Sequence, residues 1–99
     1  MRLAFDDPDL KRLYTDGGFP LPRLSPELIT AFRKKVGFLA QATTQQDIRA
    51  MRSFNLEKLK GDREGQYSIR LNIRWRLILR FETDEEGPFI AVVEIVDYH

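Results

Sequence analysis

Arg70, Arg74, Arg76 and Arg80 fall in one short stretch rich in β-branched and aromatic residues, and their spacing is the feature of this chain best suited to chemistry. In extended backbone, alternate side chains share a face. Tyr67, Ile69 and Leu71 then share one face and Ser68 and Arg70 the other. In the next stretch Trp75, Leu77, Leu79 and Phe81 share one face, and Arg74, Arg76 and Arg80 the other. Both apolar rows have to reach the same core. A two-residue turn would set Leu71 against Arg74 and spoil this. A three-residue turn, Asn72-Ile73-Arg74, pairs Leu71 with Trp75 and Ile69 with Leu77. Arg70 then faces Arg76. Like charges opposed across strands cost stability, so an anion, a carboxylate or solvent has to relieve them. Phosphate matches the planar fork of guanidinium donors. The plainer alternative, a solvated basic face with arginines lying over Ile78, stays open on these residues alone.

The charge pattern agrees with a local anionic partner. The net charge of +1 says little, but its distribution is uneven. Between Lys58 and Arg80 there are seven Lys or Arg against Asp62 and Glu64, 7 − 2 = +5, whereas Glu82 to Asp97 holds six acids and no base. A basic stretch within a near-neutral chain points to one binding face and not to general adhesion.

The elements that position these residues are legible around them. Ninety-nine residues, 42% hydrophobic, suit one α+β domain spanning 1–99. Met1–Phe5 reads as a short strand. Asp7-Pro8 and Ser25-Pro26 read as helix starts, because a side-chain acceptor precedes a proline at the first helical position. The second helix would bury Leu28, Phe32, Val36 and Leu39 and turn Arg33, Lys34 and Lys35 elsewhere. Thr44 and Asp47 resemble a capping box that opens a short third helical piece through Met51. Strands are expected at Phe54–Lys60, Gln66–Leu71, Trp75–Phe81 and Phe89–Val96, with turns at Gly61–Gly65 and Thr83–Pro88. The last strand is apolar on both faces and so reads as central. Cysteine is absent and His99 is the only histidine, which leaves no thiolate or multi-histidine metal site. No long apolar run or secretion signal is seen, and a reducing cytoplasm is the expected location.

Three segments resemble one family. Leu59-Lys60-Gly61-Asp62-Arg63-Glu64-Gly65, then Tyr67-Ser68-Ile69-Arg70, then Trp75-Arg76, look like a signature of HigB toxins, and Asp97-Tyr98-His99 looks like that family's terminal motif. Arg74 departs from the pattern, which usually has Asn or Gln there. The resemblance covers about the last two-fifths of the chain. It implies a RelE-like, microbial-ribonuclease-like α+β domain, with the N-terminal strand and two to three helices packed on a curved, mainly antiparallel sheet. It also implies a ribosome-dependent messenger-RNA endonuclease working without metal or cofactor. Its partners would be the ribosomal decoding site and a helix-turn-helix antitoxin, HigA, with operator DNA contacted only through the antitoxin complex and no membrane involved.

By motif match, Lys60, Arg76, Asp97, Tyr98 and His99 are the implied catalytic set. Arg76, with Arg70, would hold the scissile phosphate. Lys60 would add charge or act as base. His99, whose unperturbed pKa is nearest neutrality, would carry the proton, with Asp97 orienting it and Tyr98 stacking on a base or donating a hydrogen bond. Arg74, Lys34 and Lys35 are expected to add RNA contacts, with Arg49 and Arg52 beyond them. A gyrase-inhibiting toxin of the ParE type is the alternative on the same scaffold, and an inactive partner serving only in operon repression is a third reading.

Overall fold

A helix starts where a side chain can satisfy the orphan N–H groups of its first turn. In the computed structural model, which describes residues 1–97, Asp7 accepts from the Asp9 N–H and Ser25 from the Leu28 N–H. The helices α1 (Pro8–Thr15) and α2 (Pro26–Gln41) follow. A full capping box at Thr44 and Asp47 opens α3 (Gln45–Arg49).

The strands are β1 (Arg2–Phe5), β2 (Glu57–Lys58), β3 (Tyr67–Arg70), β4 (Trp75–Asp84) and β5 (Gly87–Asp97). They form one sheet in the order β1-β5-β4-β3-β2. Among the described residues only the β1–β5 pair is parallel; β5–β4, β4–β3 and β3–β2 are antiparallel. β5 is thus interior, as its apolar sequence requires. Between Ile78 and Leu79 the register shifts, so that Ile78 pairs with Glu94 and Leu79 with Val92. Val93 is the extra residue, and a bulge of this kind bends and twists its strand.

The helices cover one face of the sheet. Leu28, Phe32, Val36 and Leu39 of α2 and Leu10 and Leu13 of α1 are buried against Ile69, Leu77, Leu79, Ile90 and Val92. The opposite face carries Ser68, Arg76, Ile78 and Arg80 on β3 and β4. The β3–β4 connection is the three-residue turn expected from the two apolar rows. Leu71 N–H donates to the Trp75 carbonyl at 2.9 Å, and Asn72 Oδ1 accepts from the N–H groups of Arg74 and Trp75. Ile69 pairs with Leu77 and Arg70 with Arg76.

Two elements differ from the sequence expectation. Only Glu57–Lys58 of the expected strand Phe54–Lys60 is β-structure. A 3-10 turn, Arg52–Phe54, precedes it, and Asn55 takes a left-handed φ of 45°, which breaks the extended run. The expected Thr83–Pro88 loop is mostly ladder: Thr83 pairs with Pro88 and Asp84 with Gly87, so the chain reverses across Glu85-Glu86. Gly87, at φ 109°, takes the conformation that this tight reversal needs. Arg2 reaches the turn to pair with Asp84 and Glu86, which offsets part of its acidity.

The α3 cap makes stability depend on pH. The Asp47 carboxylate accepts from the Thr43 and Thr44 N–H groups at 2.9 and 3.0 Å, and these bonds hold its pKa below the ordinary carboxylate value. A lowered folded-state pKa stabilises the protein above the unfolded value of about 3.9, and the benefit is lost as pH falls through the folded value. The Asp47→Asn protein should therefore melt below the parent near neutrality, with the gap closing in acid. Thermal melts at about pH 7 and about pH 3 check this; an equal gap at both would contradict it.

Candidate active site

On the open face of the sheet, β3, β4, β5 and the segment before β3 enclose a hollow of about 130 Å³, lined by Leu59, Arg63, Ser68, Arg76, Ile78, Val96 and Asp97. Its side chains follow from strand parity. Ser68 pairs with Ile78, which pairs in turn with Glu94, and Arg76 pairs with Val96, so all of these project from one side.

Arg76 is the buried cation of this hollow, only 3% exposed. Its Nε donates to Ser68 Oγ at 3.1 Å. One terminal nitrogen donates to the same Oγ at 2.9 Å and to the Asn55 carbonyl at 2.7 Å. Ser68 itself is 2% exposed. A charge taken out of water to this degree persists only when hydrogen-bonded on several sides. The left-handed Asn55 aims its carbonyl at the guanidinium, which gives that unusual backbone a purpose. Charge and plane are thereby fixed before any ligand arrives, the condition under which a cation stabilises developing negative charge most effectively.

Around this fixed centre are arginines in exchangeable pairs. Arg63 bonds Glu94 at 2.9 Å and Gln66 at 2.9 Å. Arg74 Nε donates to Asp97 at 2.8 Å, and its guanidinium lies 5.3 Å from the Trp75 ring centroid. These pairs are partly exposed and contribute little to stability, so a phosphate could replace the carboxylates at small cost. Arg80 is committed elsewhere. It bonds Asp6 at 2.7 Å and Glu82 at 3.1 Å, and the hydrogen bond to Asp6, then that to Glu82, raises its pKa despite partial desolvation.

The structure thus brings together Arg76 and Asp97, with Arg74 attached to Asp97. Arg70 stands opposite Arg76 in register, but its side chain is exposed. Lys60 is exposed beside Leu59 and does not line the hollow; its carbonyl accepts from Arg63 N–H in the 61–63 turn. Lys34 is exposed on α2. Lys35 is half-buried and donates to the Arg70 and Ser53 carbonyls. Arg33 leaves the expected basic face, bonding the Leu13 carbonyl at 2.8 Å near the end of α1. Tyr98 and His99 lie outside the described residues.

Sequence reading missed Ser68 and Asn55 as the supports of Arg76, and Arg63 as a wall of the hollow. The signal for Ser68 was its parity with Arg70 on a strand otherwise apolar. For Asn55 it was an asparagine, among the non-glycine residues that best tolerate positive φ, inside a stretch read as strand. Glu94, which holds Arg63 in that wall, projects on the same side of the sheet as Ile78.

This architecture has solved counterparts. A YoeB/ParE toxin from Agrobacterium tumefaciens matches with a TM-score of 0.57 at 16% identity, over 100% of both chains. A chain of the YoeB-YefM complex from Staphylococcus aureus gives 0.48 at 19% identity, covering 100% of this chain and 97% of that one. Among curated proteins none matches. Helices on one face of such a sheet are the fold of RelE-like toxins. The sequence profile of HigB-like toxins, RelE-like toxins of type II toxin–antitoxin systems, matches residues 3–99, and the chain belongs to that family. It is therefore the toxin member of a system whose other member is an antitoxin. Among the described residues no helix is long and apolar enough to cross a membrane.

Proposed function

We propose that this toxin is a ribosome-dependent endoribonuclease that cuts messenger RNA in the decoding site of cytoplasmic ribosomes. The observation that carries the reading is the preset guanidinium of Arg76 at the floor of an open-face hollow bounded by Asp97. RNA cleavage of this kind needs a base to remove the 2′-hydroxyl proton, fixed charge for the crowded phosphorane, and an acid for the departing 5′-oxygen. The 2′-oxygen attacks phosphorus, the bond to the 5′-oxygen breaks, and the proton reaches that oxygen. No metal or cofactor enters these steps.

Arg76 supplies the fixed charge. Arg74 and Arg70 meet flanking phosphates, Arg74 by leaving Asp97. Asp97, Tyr98 and His99 form the terminal proton-handling group, and Lys60 adds positive charge at the edge. A HigA-like helix-turn-helix antitoxin restrains the toxin, and operator DNA is reached only through their complex. Expression in a host should arrest growth and produce new messenger-RNA ends within translated codons, without a DNA-damage response. Damage induction with intact messages would favour the gyrase-inhibiting alternative.

Lys34, Lys35 and Arg70 extend the RNA-binding face, since distributed lysine and arginine provide sequence-independent, salt-sensitive affinity. Reversing the charge of Lys34 and Lys35 should lower ribosome association about tenfold or more at moderate salt. Unchanged co-sedimentation with ribosomes would refute their role.

A further inference from the structure

A second hollow, about 250 Å³, lies between α2 and the 51–54 turn, lined by Lys34, Lys35, Phe38, Met51, Ser53 and Phe54. Phe38 and Phe54 meet edge to face at 5.1 Å, and the Lys35 ammonium sits 5.2 Å from the Phe54 centroid. The interior is therefore apolar and the rim cationic. Among the other described cations, Arg2, Arg12, Arg23, Arg63, Arg74 and Arg80 pair with a carboxylate, whereas Lys11, Arg49, Lys58 and Lys60 do not. Among the described residues no carboxylate pairs with Lys34, Lys35, Arg52 or Arg70. Burial first, then the nearby cations Arg70, Lys34 and Arg76, lower the pKa of Lys35, so an arriving carboxylate would offset both the repulsion and the cost of desolvation.

We infer that this hollow receives one large apolar side chain from an acidic segment of a partner protein, whose carboxylates rest on Lys34 and Lys35. The charge complement is what selects an acidic segment, and an aromatic or aliphatic anchor filling a desolvated pocket is the usual centre of such a contact. A nucleobase is the poorer occupant. Its edges carry hydrogen-bonding groups, and besides the lysines the lining offers only Ser53. One consequence rests on the proposed nuclease function: a segment seated here denies Lys34 and Lys35 to ribosomal RNA and restrains the toxin without covering the Arg76 hollow.

The test needs no catalysis, so it succeeds or fails separately from the nuclease reading. The chain has two methionines, Met1 and Met51, and only Met51 lines this hollow. The full chain, carrying ¹³C-methyl methionine, is titrated with a synthetic Asp/Glu-rich peptide bearing one central tryptophan. Controls are the same peptide with serine for tryptophan, and oligouridylate. The Met51 methyl should shift saturably with the tryptophan peptide while Met1 stays still. Affinity should fall at least about tenfold with the serine peptide, and again with Lys34→Glu, at an exposed position, the unshifted Met1 signal certifying the fold. A Met51 signal unmoved by the tryptophan peptide, or equal affinity for the serine peptide or the Lys34→Glu protein, would overturn the inference. So would an oligouridylate-induced shift of Met51 that displaces the peptide.

Discussion

Arg76→Ala will lower the rate of ribosome-bound messenger cleavage by about 100- to 1,000-fold, the loss typical when one preorganised donor to a developing oxyanion is removed. It will also destabilise the fold, and the two effects have to be separated. The guanidinium is almost wholly buried and serves Ser68 Oγ and the Asn55 carbonyl. Each hydrogen bond to a charged group contributes about 1.5–3 kcal/mol, while removing a buried charge relieves part of its desolvation penalty. The balance is a loss of about 2–3 kcal/mol, or a fall in Tm of roughly 10–15 °C for a chain of this size. Ser68→Ala is the companion variant. It withdraws a support of the guanidinium but keeps the charge, so cleavage should fall by about tenfold, well short of the Arg76→Ala loss. Rates are compared at a temperature where near-ultraviolet circular dichroism shows every variant folded. A folded Arg76→Ala protein with full activity would remove the arginine from the mechanism.

His99→Ala is expected to slow the reaction strongly. General acid–base catalysis by a placed side chain contributes about 100- to 10,000-fold, and His99 is the only histidine of the chain. Single-turnover cleavage should slow by that order, with Tm recorded beside it so that rate and stability are read separately. A His99→Ala protein that cuts at the parental rate would transfer the proton-handling role to Asp97 or Lys60.

Much of this was legible in the sequence where one local rule dominated. The helix starts at Asp7-Pro8, Ser25-Pro26 and Thr44 were fixed by side-chain caps acting within a turn. The β3–β4 register followed from two apolar rows that had to face one core. What the sequence did not disclose depended on contacts between distant segments. Asn55 becomes left-handed to place a carbonyl on Arg76, twenty-one residues on. Arg33, on a helix face that looked merely basic, caps the end of another helix. The arginines read as one row have different partners: Arg80 bonds Asp6, Arg74 bonds Asp97, and the buried Arg76 bonds Ser68. Parity along a strand gives the face but not the partner, because partners come from other elements. The like-charge pair of Arg70 and Arg76 stands in register. The repulsion is eased by sending the Arg70 side chain to solvent and burying that of Arg76 among hydrogen bonds that include Ser68 Oγ and the Asn55 carbonyl.

The most direct test uses purified toxin and reconstituted ribosomes programmed with a defined message, its fragment ends read at nucleotide resolution. Ribosome-dependent cleavage requires cuts confined to the codon in the decoding site, none on the same RNA without ribosomes, and loss of the cuts with Arg76→Ala or His99→Ala. Intact message on ribosomes that have bound the folded toxin would contradict it.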